Sequence, residues 1–178
     1  MTRLPSSFYV HVPFCLSRCR YCDFHTKVGS AEAMTSFLDA LETDLGRLPG
    51  RPRARTVYVG GGTPTALPPD LLGRLVDILD ERFTLSDVEE ASFEVNPGTL
   101  TARNVEHLLM RGVNRLSFGV QTFQDPLLRL LGRLHDAATA HGAIQAARSA
   151  GAENLSLDLI YGIPGSTMDT WRDDLDQA

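Results

Sequence analysis

The chain has 178 residues, 43% of them apolar and 22% charged, with a net charge of −5. That is enough apolar material for one domain to bury a core without relying on disulfide or metal staples. Charges of both signs are scattered along the chain, which leaves no electrostatic footprint for a nucleic-acid backbone, and no run approaches the ~20 apolar residues of a membrane span. The N-terminal stretch MTRLPSSFYV lacks the basic-then-apolar layout of a signal peptide, so a cytoplasmic location is expected.

Five short β-type runs follow one another: FYVHV (8–12), TVYVGG (56–61), ASFEVN (91–96), NRLSFGV (114–120) and NLSLDLIYG (154–162). Helical patterns lie between them. The first, near 31–48, repeats Phe37, Leu38, Leu41, Leu45 and Leu48; the second, 69–83, opens at Pro68-Pro69; the others cover 101–111 and the alanine-rich 136–149. Gly50, Gly112 and Gly151 stand just beyond three of these helices, where left-handed caps are expected. Strand–helix alternation predicts a parallel α/β fold, either a partial (β/α) barrel or an open doubly wound sheet. A last helix follows GIPG, with Ser166 as its expected N-cap and Trp171 and Leu175 four residues apart. Five βα units leave the final strand without a covering neighbour and no C-cap signal precedes Ala178, so residues 1–178 read as the N-terminal part of a longer protein.

The only three cysteines fall within CLSRCRYCDF (15–24). An odd number in a reducing compartment argues for a metal rather than disulfides. Three readings compete. The thiols could be small buried hydrophobes, although arginines are interleaved with them. They could hold zinc, with His11, His25 or Asp23 as a fourth ligand. Or they could hold an iron–sulfur cube, which normally takes four thiolates, so that three leave one iron open to an exogenous molecule. The C-x3-C-x2-C spacing with an aromatic before the last cysteine resembles the motif of the radical S-adenosylmethionine (SAM) superfamily.

In a parallel α/β fold, ligands sit at the C-terminal ends of the strands. There the second strand runs into VGGGTPT (59–65), which is neither a P-loop nor a dinucleotide fingerprint; its glycines admit a close approach to backbone groups able to hold an ammonium or a carboxylate. The third strand places Glu94 among apolar neighbours before Asn-Pro-Gly, the fourth closes on Gln121, and the fifth carries Asp158 between leucines. Each could be a satisfied core polar residue. Together they suit ribose hydroxyls and a methionine ammonium.

As an ordered set, YVHVPFCLSRCRYCDF, VGGGTPT, FEVNPGT, GVNRLSFGVQTF, LLGRLH and LSLDLIYGIPGST resemble the radical SAM family that contains oxygen-independent coproporphyrinogen III oxidase (HemN) and the HemW heme chaperones. The resemblance implies an incomplete barrel of six βα units, of which about five are present. It implies a 4Fe-4S cluster on Cys15, Cys19 and Cys22, whose open iron takes the amino and carboxylate groups of SAM for reductive cleavage to a deoxyadenosyl radical. It further implies SAM contacts at Tyr9, Gly61, Gly62, Thr63, Glu94, Gln121, Arg133 and Asp158, with Tyr21 contributing through its backbone. Arg133 rests on the resemblance alone, since RLLGRLH reads equally as a solvated turn with Leu130, Leu131 and Leu134 packed inward. The oxidases carry a further cysteine two positions after the third, where this chain has Phe24. That departure favours the chaperone branch, which implies heme as ligand, a reducing partner, a heme-accepting protein and porphyrin-binding elements beyond Ala178. His11 and His25 receive no role.

Overall fold

The computed structural model describes residues 7–178, so the first six residues of the stretch read for a signal peptide lie outside the described residues. Its strands are β1 (Ser7–Val12), β2 (Thr56–Gly61), β3 (Glu90–Val95), β4 (Arg115–Gln121) and β5 (Leu155–Leu159), all parallel and hydrogen-bonded in sequence order. A doubly wound sheet reverses its strand order part-way. This one does not, which settles the topology as a partial, unclosed (β/α) barrel.

The returning helices are α1 (Ala31–Gly46), α2 (Pro69–Phe83), α3 (Ala102–Met110), α4 (Asp125–Leu131), α5 (Ala137–Ser149) and α6 (Met168–Gln177). Their caps follow local chemistry: Ser30, Thr101 and Asp136 each accept from a backbone N–H in the first turn, and α2 opens with proline at its first position. Gly50, Gly112 and Gly151 take positive φ as expected.

Strand alternation segregates the sheet into two unlike faces. Val10, Val12, Val57, Val59, Ala91, Phe93, Val95, Leu116, Phe118 and Val120 point one way and are buried against the helices in the main core. The residues that alternate with them share the inner face in register: Tyr9 beside Tyr58, Tyr58 beside Ser92, Ser92 beside Arg115, Glu94 beside Ser117, and Ser117 beside Ser156. Parallel sheets are normally apolar on both sides. Here the helix-covered face supplies the stability and the inner face is left to polar side chains.

Four details differ from the sequence-based expectation. α4 is an additional helix, started by Pro126 and stopped by Gly132 at φ 75°. Of the three leucines read as packed inward around this turn, only Leu131 is buried, while Leu130 and Leu134 are exposed and Arg133 bonds Gly119 O instead. β5 ends at Leu159, with Tyr161 out in solvent and Gly162 turning the chain at φ 71°. The N-cap of α6 is Thr167, not Ser166, because Thr167 and Thr170 form a reciprocal capping box.

One buried carboxylate ties α6 to the site end of the sheet. Asp174 accepts from Thr122 Oγ1 and from the Phe123 backbone N–H, both at 2.7 Å, directly after β4. Asp174→Ala leaves both donors buried and unpaired, and is expected to lower unfolding free energy by about 2–3 kcal/mol. Urea denaturation checks this; a loss below ~0.5 kcal/mol, the scale of a neutral surface change, would show the clamp to be dispensable.

Candidate functional site

The cysteine segment is a loop, not a helix, and both of its ends are fastened. Phe14 is fully buried, packs edge-on against Phe37 at 5.6 Å between centroids and leaves no space for a Cβ at Gly29, which would lie 2.5 Å from its ring. Around that anchor Lys27 N–H donates to Pro13 O at 2.8 Å and Cys15 N–H to Lys27 O at 3.0 Å. The loop's tip is pinned where Arg20 N–H donates to Leu131 O at 3.0 Å, and Cys22 N–H closes a turn on Cys19 O. All three thiols are free and half-buried.

The glycine run packs against this loop. Gly62 N–H donates to Val12 O at 2.8 Å, Thr63 N–H to Phe14 O at 2.7 Å and Gly61 N–H to Glu94 Oε2 at 3.0 Å. Three amides read as free for a ligand are therefore occupied by the protein itself. The space the glycines leave is also filled from within: a Cβ would fall 2.5 Å from the Glu94 carboxyl at Gly60, 2.4 Å from the His11 ring at Gly61 and 2.6 Å from Phe14 O at Gly62. Thr63 adds a hydroxyl 3.8 Å from Cys15 Sγ.

The polar strand ends converge on the same place. Tyr58 OH donates to Glu94 Oε1 at 2.9 Å. Gln121 sits at φ 74°, a left-handed conformation rarely adopted by a residue with a side chain, at a register shift in the β4–β5 pairing. Arg133 donates through Nη2 to Gly119 O at 2.7 Å and through Nη1 towards Cys19 Sγ at 3.5 Å, while its buried Nε has no partner. A cavity of about 460 Å³ is lined by Cys15, Cys19, Cys22, Tyr21, Gly61, Gly62, Thr63, Glu94, Gln121, Arg133 and Asp158. Tyr9 is not among them. It stacks on Tyr58 with centroids 6.0 Å apart and shares a hydrogen bond with His11 Nδ1 at 3.1 Å.

His11 is occupied as well, since its Nε2 bonds the His25 carbonyl at 2.9 Å; it fastens the strand to the cysteine loop rather than offering a ligand nitrogen. Sequence reasoning missed Tyr58, Asn96 and Ser117, which also line the cavity. Alternation could have found two of them, because Tyr58 shares a face with Gly60, and Ser117 with Gln121.

Electrostatics follow enclosure. Burial raises the Cys15 thiol, with Cys22 and Cys19 adding to the effect and the Thr63 hydroxyl opposing it. Burial pushes the Tyr21 phenol up to about 12 against the pull of Arg133. The Tyr58 phenol is raised by burial and then by Glu94, so it stays a donor. Asp158 is raised by desolvation, with Ser117 and Arg115 drawing it back.

Among the described residues no three of His, Cys, Asp or Glu lie close enough together to hold a single metal ion. A cluster spreads its thiolates over several irons and does not need them at single-ion distances. Three thiols spaced around one cavity, a partnerless Arg133 Nε beside them and a volume within the ~300–1,000 Å³ of ligand pockets fit a cluster with a bound small molecule.

Comparison with known proteins agrees. Residues 9–178 match the model of the radical SAM superfamily. The chain is 41% identical over 166 residues to the heme chaperone HemW of Bacillus subtilis, covering 91% of this chain and 44% of that protein. It is 35% identical over 184 residues to HemW of Escherichia coli, covering 100% of this chain and 48% of that protein. The chain thus spans about half the length of these curated relatives. Among solved structures, coproporphyrinogen III oxidase (HemN) from Escherichia coli superposes with a TM-score of 0.86 at 35% identity, over 96% of this chain and 40% of that one.

The contact between glycine run and cysteine loop can be tested directly. Gly62→Ala drives a Cβ into the Phe14 backbone and is expected to lower the melting temperature and raise the rate at which the cysteine loop is cleaved by protease. Gly142→Ala, in α5 with nothing within 4 Å, should instead be neutral or stabilising by up to ~1 kcal/mol. Equal melting temperatures for the two variants would mean the loop does not depend on that approach.

Proposed function

Because the chain belongs to the radical SAM superfamily, we propose that Cys15, Cys19 and Cys22 hold a 4Fe-4S cluster by three of its irons, leaving the fourth for SAM. The observation that carries this reading is the single cavity that gathers all three cysteines with Glu94, Gln121, Arg133 and Asp158 at the C-terminal ends of five different strands and turns. When bound, the cluster and SAM supply one-electron radical chemistry. The protein's part is to bind and orient. Glu94, held by Tyr58 and the Gly61 amide, presents an anchored carboxylate to a cationic group, and Arg133, with its unused Nε, presents a donor to an anionic one. Gln121 and Asp158 supply an amide and a carboxylate to hydroxyl groups.

Residues 1–178 would then be the radical SAM core of a longer protein that binds heme and passes it to an acceptor, after reduction by an electron-donating partner. The identity to two HemW chaperones over nearly the whole chain supports this. The second reading, a coproporphyrinogen III oxidase of porphyrin biosynthesis, is favoured by the likeness to HemN. Against it stands Phe24, an exposed phenylalanine where the oxidases carry a further cysteine.

Changing any one of Cys15, Cys19 or Cys22 to Ala is expected to abolish cluster assembly, measured as iron and sulfide after anaerobic reconstitution. Glu94→Gln should keep the cluster and weaken SAM binding by roughly 10- to 100-fold, the loss of a charged hydrogen bond. A reduced-cluster paramagnetic resonance signal that shifts on adding SAM is the expected result; zinc retained in place of iron would overturn the reading. In the full-length protein, stoichiometric heme binding without coproporphyrinogen turnover supports the chaperone, and turnover supports the oxidase.

A further inference from the structure

Beneath the cavity and reaching into its wall, the inner face of β3, β4 and β5 carries a run of polar side chains, of which only Asp158 has a task in the SAM reading. Glu90 Oε1 accepts from the hydroxyl of fully buried Ser92 at 2.7 Å and from Arg115 Nη1 at 3.3 Å, which fixes the guanidinium at the lower end. Arg115 Nη2 lies 3.3 Å from Ser156 Oγ, Ser156 Oγ 2.7 Å from buried Ser117 Oγ, and Ser117 Oγ 3.2 Å from Asp158 Oδ1. Ser117 and Asp158 are both residues of the cavity wall.

The two ends dictate the direction of every hydrogen bond between them. A guanidinium has donors only, and an ionised carboxylate acceptors only. Arg115 therefore donates to Ser156, Ser156 donates to Ser117, and Ser117 donates to Asp158. Each hydroxyl gives away its one proton and accepts one, so the line is fully satisfied in a single orientation. Chains of this kind polarise their members and strengthen the terminal bond.

We propose that Arg115, Ser156 and Ser117 are positioning residues that hold Asp158 ionised and aimed, so that its free lone pairs accept the hydroxyl donors of a bound nucleoside ligand. The proposal rests on the reading of this cavity as the SAM site. It gives an inner-face serine ladder a purpose that core packing does not require, since the opposite face already carries the apolar core. It also supplies the donor that opposes the upward push of partial desolvation on Asp158.

Other charged groups face the same space. Arg115 comes from β4, Glu94 from β3, Tyr58 from β2, Arg18 from the cysteine loop and Arg133 from the turn after α4. Glu94, Arg18 and Arg133 are unchanged in every variant, so their effect cancels when the variants are compared over one pH series.

The test is SAM affinity of the anaerobically reconstituted protein across pH 5 to 8, with iron and sulfide content as the check on the cluster. Ser117→Ala is expected to keep the cluster, weaken SAM binding by roughly 5- to 30-fold, and move the acid-side loss of binding to higher pH, because the carboxyl loses the donor that favours its charged form. Ser117→Thr keeps the hydroxyl and is expected to restore both affinity and pH profile. Ser156→Ala should act in the same direction more weakly, since Ser117 can still donate to Asp158. Wild-type affinity and pH profile in Ser117→Ala, with affinity lost in Asp158→Ala, would overturn the positioning role alone. Unchanged affinity in Asp158→Ala would overturn it together with the assignment of Asp158 to the SAM site. If Ser117→Ala weakens binding equally at all pH values and Ser117→Thr does not restore it, the ladder is structural and the proposal fails.

Discussion

Everything that positions the site depends on a division of labour between the two faces of one parallel sheet. The helix-covered face is valine, leucine, phenylalanine and alanine throughout β1 to β4, and supplies the area burial that holds the domain together. Since a fully buried residue of that kind stabilises by about 1.5–3 kcal/mol, the inner face need contribute nothing to net stability. It can therefore carry tyrosines, serines, carboxylates and an arginine, provided each finds a partner. Most do: Tyr58 bonds Glu94, Arg115 bonds Glu90, and Ser117 bonds Asp158.

On the inner face, the places where this rule is relaxed lie at one end. Arg133 Nε is buried without a partner, Gln121 is held at positive φ, and the cavity opens between them. An unpartnered buried donor and a left-handed glutamine each cost on the order of 1–3 kcal/mol and persist only where surrounding structure holds them. The Asp174 clamp supplies that hold for the turn after Gln121, and Phe14 with its Gly29 and Gly62 clearances supplies it for the cysteine loop. Strain and orphaned polarity are thus set where a ligand can relieve them.

Fold class and the outline of the cavity were legible because they follow from short-range pattern. Period-two alternation and glycine stops locate all five strands, and the clustered cysteines, Glu94, Gln121 and Asp158 all fall near strand ends. Three kinds of feature were hidden. α4 is only seven residues long, too short for periodicity to register, and its role is to offer Leu131 O to the cysteine loop. Tyr9 matches a family position, yet its place two residues below His11 turns its hydroxyl to that ring instead of into the cavity. The Arg115 to Asp158 line depends on cross-strand register, which no single strand's sequence reveals.

The charge inventory of the cavity argues for the class of ligand it takes. Two carboxylates, Glu94 and Asp158, face the cavity with Arg18 and Arg133 as the cations of its wall, Arg115 being spent on Glu90 and Ser156 below. Two arginines offset the two carboxylates, and three cysteine thiolates on the same wall would leave a net negative excess whose members repel one another. A neutral or anionic occupant would leave that repulsion standing. A ligand that brings an ammonium and a sulfonium, with one carboxylate to meet the free Arg133 Nε, offsets it and satisfies the one orphaned donor in the wall. SAM has those three charges in one molecule, so the wall that is least comfortable alone is the one most complementary to the cofactor we propose.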